Sequence, residues 1–297
     1  MLLSATQLSA LSRLFSASVL REMAGKGYSP LFARLLVDTK LMAQRSNSMI
    51  EDVKGIYESA FTVLSQSGFR NEYIYRAALT HKVLLGVHSL NTASMLTEFR
   101  TGASRADVVI LNGTSTIYEI KSERDSLTRL KNQLIDYRKV FAKTYVITAE
   151  SHVDDVLKNT PIEVGVLSLG CKGKISTERE TIERPDLLCP VTIFESIRLS
   201  EASIILRNLN ISVPDAPNTQ LYGAMRECFV GLDPVSVHKQ MVLTLKETRN
   251  LVSLTKLMDQ MPKSLKPAVL TTHFRRSDYQ NLISAINTPL NAALNWA

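Results

Sequence analysis

The sequence predicts an α/β protein in which a mixed sheet is flanked by helical regions at both ends. Three observations predict it: apolar residues recur at helical spacing up to about residue 86, short β-branched runs occupy about residues 96–180, and helical spacing returns from about residue 190. Because helices and strands alternate in the middle segment, the strands should form a mixed sheet with helices packed against it. We therefore expect a helical region at 1–87, an α/β core at 88–182 and a second helical region at 183–297.

Composition and charge place the chain among ordinary globular proteins. It has 297 residues, of which 45% are hydrophobic and 21% charged, and a formal net charge of +7. This positive excess favours encounter with polyanions such as nucleic acid. We find no leader peptide pattern, no apolar run near the roughly 20 residues that a membrane-spanning helix needs, and three widely spaced cysteines without metal-site spacing. We expect a cytoplasmic protein without a membrane partner.

The first region should consist of helices. Leu8, Leu11, Phe15 and Val19 share one helical face, and the pattern resumes after Ser29-Pro30. Further helices are predicted at 50–64 and 73–85, with breaks at glycines.

The middle region should contain the sheet. A hairpin is predicted from strands at 105–111 and 116–121 around Asn112-Gly113, a common turn dipeptide. A helix at 127–141, a strand at 144–148, a helix at 151–158 and strands at 163–169 and 175–179 should follow. In the last region, helices are predicted at 192–209, 221–230, 235–261 and 278–286.

Acidic and basic side chains converge on the predicted hairpin. Residues two apart on a strand face the same side, so Glu119 and Lys121 lie side by side on one face. Asp107 lies on the other arm of the hairpin and supplies a second carboxylate. Two carboxylates can hold a hard divalent cation such as Mg²⁺, and a nearby lysine can stabilise charge that develops on a phosphate. This combination favours phosphodiester hydrolysis.

The register of the hairpin decides whether Asp107 and Glu119 can act together. A tight two-residue Asn112-Gly113 turn pairs Leu111 with Thr114 and places the two carboxylates on opposite faces. A connection that is longer by one residue pairs Leu111 with Ser115 and puts Asp107 across from Glu119. We predict the second register, despite the strong two-residue turn signal.

The order Glu98, Asp107, Glu119-Ile120-Lys121 resembles the PD-(D/E)XK nuclease superfamily, over about residues 96–148. Gln133 and Tyr137 add a Gln-x-x-x-Tyr pair, four residues apart on one helical face, as in a subset of that superfamily. Ala106 stands where the name-giving proline would be. The segment 118–125, with helices on both sides, also resembles a family of largely uncharacterised bacterial and prophage proteins placed in this superfamily.

The resemblance implies a restriction-endonuclease-like fold and a role for each residue. Asp107 and Glu119 would be ligands of Mg²⁺ or Mn²⁺, Lys121 the catalytic lysine, and Glu98 an upstream supporting carboxylate. Gln133 and Tyr137 would position the substrate. Arg124 and Arg129, which surround this segment, could contact phosphates.

Three functions remain open at this point. The first is a metal-dependent nuclease with DNA as the favoured partner. The second is an RNA-cleaving, toxin-like nuclease, and the third is a non-catalytic module that binds nucleic acid or protein on a nuclease fold.

Overall fold

The structure is a computed structural model that describes residues 3–39 and 51–296. The chain divides into two compact units, one made of residues 1–81, 171–173 and 253–297 and the other of residues 82–170 and 174–252. The residues of the predicted region 183–297 are therefore shared between the two units. Among the residues described, no helix is both long and apolar enough to cross a membrane.

Helices make up most of the first unit. In chain order they are α1 (Ala5–Leu14), α2 (Ala17–Lys26), α3 (Pro30–Thr39), α4 (Val53–Leu64), α5 (Glu72–Leu79), α13 (Thr255–Gln260), α14 (Lys266–Thr271), α15 (Tyr279–Ile286) and α16 (Leu290–Ala293). Polar side chains start several of them: Ser4 caps α1 and Asn71 caps α5, each accepting a backbone N–H of the first turn. Residue 50, where one predicted helix begins, lies outside the described residues.

The early and late helices of this unit pack on each other. The ring of Phe32 on α3 lies 5.8 Å from that of Trp296, and Tyr73 on α5 donates a hydrogen bond of 2.5 Å to the Ser264 carbonyl. Backbone hydrogen bonds join Val53 to Thr288 and Leu290 to Glu51. Segments far apart in sequence therefore share one core.

The second unit contains the sheet. Its strands are β1 (Ser94–Thr101), β2 (Ser104–Asn112), β3 (Thr114–Lys121), β4 (Lys143–Ala149), β5 (Gly165–Leu169) and β6 (Ile175–Arg179), in that spatial order. The β1–β2, β2–β3 and β5–β6 pairs are antiparallel, whereas β3–β4 and β4–β5 are parallel. The predicted mixed α/β class with flanking helices is confirmed.

The helices of the second unit are α6 (Leu85–Val87), α7 (Leu130–Arg138), α8 (Val153–Asn159), α9 (Pro190–Ser196), α10 (Leu199–Asn208), α11 (Asn218–Phe229) and α12 (Pro234–Thr248). Residues 80–84, between α5 and α6, form a π-helical turn. One face of the sheet and these helices share a core that includes Val109, Ile117, Val146, Leu134 and Met241. The alternation of side chains along each strand brings this apolar set to one face.

Strand β1 was not predicted, and Glu98, expected before the first strand, lies inside it. Two predicted helices are each divided: 192–209 becomes α9 and α10, and 235–261 becomes α12, a 3₁₀ turn and α13. In the second case the chain leaves the helix at Arg249, whose side chain reaches back to Glu201 on α10. The helix therefore ends where the chain contacts a distant segment, although the local apolar spacing would continue it.

Candidate active site

The β2–β3 connection has the register that the shared carboxylate site requires. Leu111 pairs with Ser115 and Val108 with Tyr118, so continuing the ladder by one residue sets Asp107 across from Glu119. Gly113 provides the turn with a φ of +69°, in the left-handed region that glycine adopts without strain. The predicted register is confirmed, and the two-residue turn signal is overridden.

Asp107 is fixed where pairing between β2 and β3 ends. Its Oδ2 accepts the backbone N–H of Ile120 at 2.7 Å. The side chain therefore extends the hydrogen bonding of the ladder beyond its last backbone pair.

Glu119 and Lys121 form a buried ion pair on one face of β3. Glu119 is 1% and Lys121 8% exposed, and Lys121 Nζ donates to Glu119 Oε1 at 2.8 Å. A buried charge is costly unless it is paired and hydrogen-bonded. The strand therefore keeps two charged groups at a place where apolar residues would cost less free energy to bury.

Helix α7 completes the hydrogen bonding of this pair. Gln133 accepts from Lys121 Nζ at 2.9 Å and donates to Glu119 Oε1 at 2.6 Å. The hydroxyl of Tyr137 lies 2.7 Å from Glu119 Oε2 and 2.6 Å from the Arg105 carbonyl oxygen, and its one proton can serve only one of them at a time. The Gln-x-x-x-Tyr pair thus contacts the Glu-x-Lys pair directly, as its helical spacing allows.

The environment of Tyr137 keeps its hydroxyl protonated. Burial, followed by the negative charges of Glu119 and Asp107, holds the pKa of this phenol well above its ordinary value. Tyr137 is therefore a permanent hydrogen-bond donor at ordinary pH, aimed at a carboxylate or a carbonyl oxygen.

Glu98 approaches the same place from β1. Its neighbours pair as Thr97 with Val108 and Phe99 with Ala106, which sets Glu98 across from Asp107. A carboxylate oxygen of each residue lies within 4.8 Å of the other. Glu98 has a φ of +53°, a left-handed conformation that costs a non-glycine residue about 1–3 kcal/mol and tends to occur at functional sites.

Other predicted site residues lie further out. Arg124 and Arg129 are exposed, in the connection between β3 and α7. Thr148 on β4, which the sequence analysis did not single out, is buried and donates to the Lys121 carbonyl at 2.8 Å. The β-branched residues around Thr148 predicted only a strand. The contact of Thr148 with the end of β3 depends on the parallel pairing of β3 with β4, which the sequence did not indicate.

The donor set has the chemistry that a hard cation requires. Carboxylate oxygens of Glu98 and Asp107 lie within 4.8 Å of each other, and the β2–β3 register sets Glu119 opposite Asp107 on the next strand. Oxygen ligands of this kind suit Mg²⁺ or Mn²⁺. Glu119 already accepts hydrogen bonds at both oxygens, but an ionised carboxylate has about four acceptor positions. The residues therefore fit such an ion.

Comparisons with known proteins find a phage family. A family model described as bacteriophage P4 protein cII matches residues 65–222, which include every residue of the site. Protein cII of Enterobacteria phage P4 is 40% identical over 63 residues, which are 21% of this chain and 24% of that protein. The matched stretch is thus about a quarter of that relative's length.

Among solved structures, a protein of unknown function from Silicibacter pomeroyi is similar at 22% identity, over 40% of this chain and 80% of that one. The TM-score is 0.29, which supports no inference about function.

Proposed function

This chain belongs to the bacteriophage P4 protein cII family, and we propose that it is a metal-dependent nuclease that hydrolyses phosphodiester bonds of DNA. The observation that carries the proposal is the buried Glu119–Lys121 pair, which Gln133 and Tyr137 hold beside Asp107. Its residues follow the order of the PD-(D/E)XK nucleases that the sequence resembles.

The burial of the pair supports catalysis more than it supports stability. An exposed ion pair contributes little, and a buried one is often no better than apolar residues of the same size. Retaining a charged pair in the core of a sheet is explained if its charges act on a substrate. The Lys121 ammonium, held in position in a partly dehydrated site, stabilises negative charge on a substrate more strongly than it could in water.

The reaction would be hydrolysis. A water oxygen adds to phosphorus, the bond from phosphorus to one sugar oxygen breaks, the water loses a proton and the leaving oxygen gains one. Bound Mg²⁺ would lower the pKa of a coordinated water and neutralise charge on the phosphate. Asp107 and Glu119 would hold the ion with Glu98 beside them, Lys121 would stabilise the developing charge, and Gln133 and Tyr137 would keep Glu119 and Lys121 in place.

A non-catalytic module is the second candidate, because one observation favours it. Glu119 is already hydrogen-bonded by Lys121, Gln133 and Tyr137, an arrangement that also suits a purely structural ion pair.

The test is cleavage by the purified full chain of plasmid, linear duplex and single-stranded DNA and of RNA, with Mg²⁺, Mn²⁺ or EDTA. We expect cleavage of DNA that needs the metal and that EDTA abolishes. Cleavage confined to RNA would instead support the toxin-like alternative. Binding without cleavage under every condition would support the module.

Glu119→Gln is the decisive variant, since it keeps the shape of the side chain and removes its charge. The chain offers a matched control in Glu201, also 1% exposed and paired with Arg249 at 2.7 Å, but on α10. Both variants lose a buried ion pair, yet only Glu119→Gln should lose cleavage, by about 10²-fold or more. Equal rates in the two folded variants would contradict the assignment.

A further inference from the structure

Two arginines face each other at the tip of the β1–β2 hairpin. Arg100 on β1 pairs with Arg105 on β2, one step before the turn at Gly102-Ala103. Both are exposed, and the Arg105 side chain retains 71% of its accessible surface. Like charges directly opposite each other destabilise a strand pair, so this pairing is unfavourable for the hairpin by itself.

The arginine pair lies close to the carboxylates of the hairpin. Arg105 precedes Asp107 by two residues and Arg100 follows Glu98 by two. Two residues along a strand span about 6.8 Å. The Arg105 guanidinium lies 4.0 Å from a Glu98 carboxylate oxygen, and Glu98 in turn lies within 4.8 Å of Asp107. The arginine pair therefore borders these two carboxylates.

Helix α7 holds the tip of this hairpin in place. Ser104 donates to Asp136 Oδ2 at 2.7 Å, and the Arg105 carbonyl oxygen lies 2.6 Å from the Tyr137 hydroxyl. The backbone of Gly102 comes so close to Asp136 that an added Cβ would lie 3.0 Å from its Oδ1. Because the hairpin backbone is already held in place, binding of a ligand at the arginines would cost little free energy for ordering it.

The nearby acids leave the arginines available for another anion. Arg105 lies 4.0 Å from Glu98, but that contact joins two largely exposed side chains and contributes little. Asp136 is occupied by Ser104. The guanidinium groups therefore remain open to a ligand with concentrated negative charge.

We propose that Arg100 and Arg105 together bind a backbone phosphate of a nucleic-acid strand, next to the phosphate that lies at the carboxylates. Guanidinium groups bind phosphate through paired, charge-assisted hydrogen bonds, and backbone contacts of this kind fix register without reading sequence. The inference rests on the proposed function, because it places the strand by the position of the carboxylate site. It adds two substrate-binding residues to that site.

Binding without turnover tests the proposal. Fluorescence anisotropy of the full chain with a labelled DNA duplex, and with RNA of the same sequence, is measured in EDTA over a series of salt concentrations. Arg100→Thr with Arg105→Thr should weaken binding about tenfold, equally for unrelated sequences. The slope of log K against log salt for duplex DNA should fall by about 0.9 for each phosphate that the variant no longer neutralises.

The control and the stability of the variant separate binding from folding. Arg207→Thr, at an exposed position on α10, should leave affinity and slope unchanged. The double variant should be as stable as the parent or more stable, because it removes a like-charge pair and introduces strand-forming threonines. A slope equal to the parent's, or a fall in affinity that accompanies a fall in stability, overturns the proposal.

The outcome is distinguishable from that of the proposed function. An unchanged slope with intact Mg²⁺-dependent cleavage refutes the arginine site alone. A reduced slope in a chain that cleaves nothing supports the arginine site and refutes the nuclease. An RNA-only effect on affinity would assign the same phosphate contact to an RNA strand.

Discussion

Tyr137→Phe removes one hydroxyl at the centre of the site and leaves the rest of the side chain in place. That oxygen lies 2.7 Å from Glu119 Oε2 and 2.6 Å from the Arg105 carbonyl oxygen. Because Glu119 is only 1% exposed, water cannot readily replace the missing donor. The change therefore tests how strongly the carboxylate depends on α7.

A hydrogen bond to a charged group contributes about 1.5–3 kcal/mol, against about 0.5–1.5 kcal/mol for a neutral one. We expect Tyr137→Phe to lower the free energy of unfolding by about 2–3 kcal/mol. Tyr57 supplies the control: it is fully buried, and its hydroxyl donates to the neutral Leu14 carbonyl at 3.2 Å. Tyr57→Phe should cost about 1 kcal/mol.

The free energy of unfolding of both variants and the parent is measured by urea unfolding. If the two units unfold in separate transitions, each variant is compared with the parent on the transition of the unit that carries the substitution. The folded-state pKa of Tyr137 is raised, so its contribution should be complete below pH 10 and fall as the pH rises above it. If Tyr137→Phe costs no more than Tyr57→Phe, the hydroxyl does not support Glu119 and the reasoning about the site is wrong.

Three further predictions concern the same unit. Glu98→Gly should raise the free energy of unfolding by about 1 kcal/mol, because glycine adopts the left-handed backbone without strain, while Glu98→Ala should not. Both variants should cleave more slowly than the parent. A parental cleavage rate in Glu98→Ala would exclude a role for the carboxylate. Gly102→Ala should cost more in denaturation than Gly113→Ala, because both have positive φ but only Gly102 closely approaches Asp136; equal costs would show that the close approach is unimportant. Burial lowers the pKa of His238 to about 4, so the free energy of unfolding should fall by about 3 kcal/mol as the pH falls from 6.5 to 4. His238→Gln should reduce this loss, which unfolding curves across the same pH range measure.

The sequence was sufficient to predict the hairpin and the cluster around it. Side-chain alternation placed Glu119 beside Lys121, helical spacing joined Gln133 to Tyr137, and the need for two carboxylates on one face selected the correct register. These inferences succeed because each concerns residues close together in the chain. Whether the cluster acts on a phosphodiester remains a prediction.

Strand β1 could not be predicted from local sequence patterns. Its sequence carries Glu98 and Arg100 among apolar residues, and the left-handed conformation of Glu98 interrupts a regular strand. Likewise, the apolar spacing around Arg249 predicts continued helix, but α12 ends there, where Arg249 contacts Glu201 on α10 and Asn250 donates to the Glu247 carbonyl. Such contacts depend on which distant segments meet, which periodicity does not specify.

The chain order of the two compact units has a consequence for synthesis. Helices α1–α5 leave the ribosome first, but α13–α16, which complete their core, come after all of residues 82–252. Contacts with such large sequence separation form slowly, because a long loop must close before they can stabilise anything. The parts of the early helices that α13–α16 cover must therefore stay exposed while the sheet unit is made, and during that interval they are open to aggregation and to chaperones.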